Sequence, residues 1–96
     1  TKQVRLPTIH LNGTSREELV QQRVDVVEAL DAVETVIGKA WPHGRDYYPQ
    51  GPDALVPAQQ VWKDRWNAIA EIREEVKAEG IHLARVYPLS DEQEEL

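Results

Sequence analysis

Two apolar stripes of identical period, separated by a proline-rich aromatic segment, constrain this chain more than any other feature of its sequence. Leu19, Arg23, Val26, Leu30, Val33 and Ile37 recur at spacings of 4, 3, 4, 3 and 4. Ala58, Trp62, Arg65, Ile69, Ile72 and Val76 repeat the same series. That period puts each set on one face of an α-helix and suits the seam of a helical bundle. Thr14 has the chemistry of an N-cap, with Glu17 completing a capping box. Gly38 stops the first helix, before Trp41-Pro42. Asp53 is a cap for the second, Pro57 suits its first turn, and Gly80 ends it after Lys77. The sequence thus predicts helices over about 14–38 and 54–79. Matched lengths and stripes predict an antiparallel hairpin, with Ile37 near Ala58, Val33 near Trp62, Val26 near Ile69 and Leu19 near Val76.

The ends of the chain read as extended. Residues 1–13 carry Val4, Leu6, Ile9 and Leu11, and Pro7 bars a helix interior or a central strand. Asn12-Gly13 is a turn signal; followed by Thr14 it also has the form of a glycosylation sequon, and the turn is the reading taken here. Ile81 to Tyr87 reads as a short strand stopped by Pro88. Ile9-His10-Leu11 and Ile81-His82-Leu83 leave the hairpin at one end, so they are expected to pair as a two-stranded ribbon there. The predicted fold class is mainly α: a two-helix hairpin with an N-terminal arm and a short C-terminal strand. Residues 1–89 form one domain and residues 90–96 an acidic tail.

Charge is unevenly placed. The chain has 17 acids and 11 bases, a formal charge of −6. Asp91, Glu92, Glu94 and Glu95 all fall in the last seven residues, which hold no base. Without them the balance is 13 against 11, close to neutral. The tail is either a solvated terminus or an arm that docks on a basic surface. The acidic total argues against a general nucleic-acid binder. The absence of Cys excludes disulfides, thiolate metal sites and a cysteine nucleophile. No apolar run approaches the ~20 residues of a membrane span.

A hairpin this thin buries a low fraction of its surface. It is therefore expected to form a homo-oligomer or to dock on another protein through Val20, Val24, Val27, Trp62 and Trp66. The other option is that the loop and arm fold back over these residues. Arg23 and Arg65 sit inside the apolar stripes, where an unpaired charge is costly. Either each carries its head to a nearby acid such as Asp25, Glu28, Asp31 or Glu71, or both pair with carboxylates of a partner.

Residues 39–53 read as a loop, long for a helix–helix connection. Trp41, His43, Arg45, Asp46, Tyr47 and Tyr48 make it the densest polar and aromatic cluster. Arg45 suits a phosphate or carboxylate, and the tyrosines suit a base or a partner's side chains. The same residues equally suit a cap over the hairpin end. His10, His43 and His82 lack metal-site spacing, and Ser15 and Ser90 have no base placed near them. The sequence predicts no metal, no cofactor and no enzyme.

Ile9-His10-Leu11-Asn12-Gly13-Thr14-Ser15 and His43-Gly44-Arg45-Asp46-Tyr47-Tyr48-Pro49-Gln50-Gly51, with one helix between and another after, resemble small proteins of tailed bacteriophages and prophages. The resemblance spans roughly residues 8–80. It implies a phage context and transfers no catalytic residue. Trp41, Trp62 and Trp66 depart from that pattern and mark an added contact surface. The expected function is a non-enzymatic virion component: a minor capsid, decoration or connector-associated subunit. The alternative is a phage-encoded inhibitor of host defence that binds a host protein or sequesters a small nucleotide at the loop. The expected location is the virion or the host cytoplasm.

Overall fold

In a computed structural model, which describes residues 5–86, two long helices pack side by side. α1 spans Arg16–Lys39 and α3 spans Leu55–Arg85. Between them lie a single turn of helix, α2 (Gly44–Tyr47), and a 3₁₀ turn over Tyr48–Gln50. The predicted helical hairpin is present. The segment predicted as a loop is partly helical, and Gly51, at φ +114°, supplies the left-handed residue that ends its 3₁₀ turn.

The helix starts differ from expectation by local chemistry. Ser15 rather than Thr14 caps α1: its Oγ accepts from the Glu18 N–H at 3.2 Å. A Ser-x-x-Glu frame one residue later than the predicted one therefore sets this end. Asp53 does not cap α3. Its N-cap is Ala54, without a side-chain bond, and Pro57 falls in the first turn, where its missing N–H leaves no bond broken.

The larger correction is at the other end. Gly80 does not stop α3, and residues 81–85 are helix, not strand. The ribbon between residues 9–11 and 81–83 is therefore absent, and no strand occurs among the described residues. Packing decides the outcome. A Cβ on Gly80 would lie 3.3 Å from the Arg23 Cβ, so the glycine is where the two helices approach closely. That contact offsets the ~1 kcal/mol that glycine costs a helix relative to alanine. One turn later Leu83 is wholly buried against Leu19 and Ile9, with Val20 and Val86 at the edge. The N-terminal arm does cover the open end, as expected, but against a helix. Arg16 donates to the Val86 carbonyl just past α3, satisfying one of the acceptors a helix end leaves free.

The hairpin register also differs. Leu19 meets Leu83 rather than Val76, a slide of about two helical turns. α3 consequently runs past the end of α1, and the connecting segment lies on its first turns. Gln59 Nε2 donates to the Pro42 carbonyl at 3.4 Å, and Pro42 is buried. The Glu92-bearing tail and the start of the predicted arm lie outside the described residues.

If α3 continues through Gly80, Leu83 is a core residue. Leu83→Ala should cost about 3 kcal/mol in urea unfolding. Val36→Ala, on an exposed side chain, should change stability by less than about 0.5 kcal/mol. Equal, small losses would contradict the helical continuation.

Candidate interaction surface

The seam between α1 and α3 is not the pair of stripes expected. Its residues in α1 are Arg23, Val27, Leu30, Glu34 and Ile37; in α3 they are Ile69, Arg73, Val76, Gly80 and Leu83. Both series keep 4, 3, 4, 3 spacing, but each is rotated by one residue along part of its length. Val26, Val33 and Ile72, predicted as core, are instead 40–44% exposed.

A charged pair occupies the positions they lose. Arg73 Nη1 donates to Glu34 Oε2 at 2.6 Å and to Asp31 Oδ1 at 3.1 Å. Its Nε donates to Glu74 Oε2 at 3.2 Å. Glu34 is buried, at 9% exposure, and its Oε1 has no hydrogen-bond partner among the described residues. The hydrogen bond that Arg73 donates to Asp31, with the charges of Glu34 and Glu74, raises the Arg73 pKa against the opposing effect of burial. A raised pKa adds stability that is complete at every pH below the group's ordinary value. The cationic side of the cluster is therefore constant across the physiological range.

The two arginines singled out in the sequence resolve locally. Arg23 lays its stem against Gly80 and pairs with Glu79 at 3.4 Å, while its Nη1 donates to Gln22 Oε1 at 3.1 Å. Arg65 stacks over the Trp62 ring, 4.9 Å from its centroid. Among the described residues neither pairs with Asp25, Glu28, Asp31 or Glu71.

On one side of the seam the helices leave an open groove of about 610 Å³. Val20, Val24 and Val27 line it from α1; Gly80, Ile81 and Ala84 line it from α3. Glu28 and Asp31 stand on its α1 edge, and Arg73, Glu74 and Lys77 on its α3 edge. Gly80 matters here a second time: without a side chain, it deepens the groove between the helices. A smaller hollow of about 300 Å³ opens on the opposite side at Gln22, Arg23, Val26, Val76 and Glu79.

The structure divides the predicted interface set. Val20, Arg23, Val24 and Val27 do converge on the groove. Trp62, Arg65 and Trp66 do not: Trp62 is 15 residues from Lys77 along α3, about 22 Å at helical rise. They belong to the closed end of the hairpin, where Trp41 and Trp66 keep a little over a third of their surface exposed. In the connecting segment His43, Arg45, Asp46 and Tyr48 are exposed and Tyr47 is half-buried. None of residues 41–48 lines either groove. Asp91, Glu92, Glu94 and Glu95 lie outside the described residues. Sequence reasoning missed Glu34, Arg73, Lys77, Gly80, Ile81 and Ala84. A signal for the central pair was present: one acid, Glu34, and one base, Arg73, stand in two largely apolar series of equal period.

Among the described residues no group of His, Asp and Glu is placed to hold a metal ion. No described helix is long and apolar enough to cross a membrane. No family model, curated protein or solved structure matches the chain.

The seam pair should behave as a unit. Arg73→Met strands the buried Glu34 and should lower the urea midpoint. Glu34→Leu with Arg73→Met should return it to wild type or above, because a packed apolar pair replaces a buried ion pair without loss. Additive losses in the double variant would contradict the coupling.

Proposed function

We propose that this chain is a non-enzymatic structural or assembly protein of a phage particle, working through protein–protein contacts. The class of subunit is a minor capsid, decoration or connector-associated protein. One observation carries the contact reading: Val20, Val24, Val27, Ile81 and Ala84 share a groove that no other described part of the chain covers. An apolar strip of this kind, rimmed by charges, is the form of a surface that a protein partner completes. Exposed Val26, Val33, Val36 and Ile72 add apolar area to the opposite side of the helices. The phage context is supported by the resemblance carried by residues 9–15 and 43–51.

Mass spectrometry of purified virions from the encoding phage or induced prophage tests this reading. It should detect the chain at a fixed ratio to the major capsid protein. Absence from particles, with the chain present in infected cells, would sink the virion assignment and favour the alternative of an inhibitor acting in the host.

A further inference from the structure

We infer that the groove between α1 and α3 is where a second copy of this chain docks, about a two-fold axis running along the hairpin. The inference rests on the reading that the chain acts through protein contacts, and it names the partner.

The argument is self-complementarity. The groove is graded along its length. Toward the open end of the hairpin it is apolar, with Val20 and Val24 facing Ile81 and Ala84. Further along it is charged, and the two edges differ in sign. The α1 edge carries Glu28 and Asp31, whereas the α3 edge carries Lys77. Arg73, on the α3 edge, already bonds Glu74 at 3.2 Å and Asp31 at 3.1 Å, which leaves Glu28 and Lys77 as the edge charges open to a partner.

A two-fold axis along the hairpin places α1 of one protomer over α3 of the other at the same level. The packed pair Arg23 and Gly80 fixes that level within each copy. Val20 and Val24 then meet the partner's Ile81 and Ala84. Glu28 comes within one turn of the partner's Lys77, and by symmetry the same pair forms a second time. Each helix lies antiparallel to both of its neighbours, which is the arrangement of an up-down four-helix bundle. Gly80 and Ala84 present little bulk, so the facing helix can approach closely. A two-fold axis across the middle of the groove would instead press the apolar end onto the Glu28 and Asp31 stretch. Glu28, which has no base bonded to it among the described residues, would then be pressed against apolar side chains at a cost. The sign and the gradient of the groove therefore favour a second copy with the axis along the hairpin.

The test uses the full chain. Sedimentation and light scattering should show a dimer at micromolar concentration. Val24→Glu should abolish it while far-UV circular dichroism stays helical, since Val24 lies on the groove and outside the seam. Glu28→Lys and Lys77→Glu should each weaken dimerisation about tenfold, because each change acts twice across the axis. The double exchange should recover wild-type affinity to within about twofold. A monomer at high micromolar concentration overturns the inference. So does a dimer that the double exchange does not rescue. Failure to find the chain in virions, with the exchange rescue intact, would remove the phage-particle reading and leave this interface standing.

Discussion

The ion pair between Arg73 and Glu34 is the contact on which the rest of this structure depends. Both side chains stand in largely apolar seams, and a charge left alone there would be costly. They meet at 2.6 Å in the observed axial offset of α1 against α3. That offset sets Arg23 over Gly80 and Leu19 against Leu83. It also pushes the start of α3 beyond α1, where the connecting segment lies down on it. Buried ion pairs of this kind often contribute little net stability. Here the pair selects one register among several that the apolar residues alone would tolerate, the role a polar residue plays in a coiled-coil seam.

The hairpin was legible in the sequence because its period persists over both helices. The rotation of each helix was not. α1 carries six valines, at positions 20, 24, 26, 27, 33 and 36, spread around more than one face. Any stripe drawn through them has a near-equal neighbour, and only the partner helix chooses. Gly80 illustrates a second limit. A glycine after Lys77 has the form of a helix stop, yet the same residue permits close contact when a neighbouring helix needs the space. Leu83 then reads as part of a strand by alternation and as part of a seam by its spacing from Val76 and Gly80. Tertiary packing settles it, and one residue's misreading removed a whole predicted ribbon.

The candidate site was legible in part for the same reason. Val20, Val24 and Val27 stand out as an extra apolar strip on α1, and they do line the groove. Their counterparts on α3 were hidden in the segment misread as a strand and its glycine boundary. The tryptophans drew attention by size, but none of them lines the groove, and Trp62 lies about 22 Å along α3 from Lys77. Functionally the outcome is a short rod with an apolar trough at one end and aromatic surface at the other.

The register is the central claim, because seam, groove and partner geometry all follow from it. The chain has no cysteine, so engineered pairs report it cleanly. In dilute protein under oxidising conditions, Arg23→Cys with Gly80→Cys should close an intramolecular disulfide, since those Cβ positions lie close to bonding distance. Arg23→Cys with Ile72→Cys, the pair that the sequence stripes alone would join, should stay reduced. The opposite result, cross-linking at 72 and none at 80, would contradict the account.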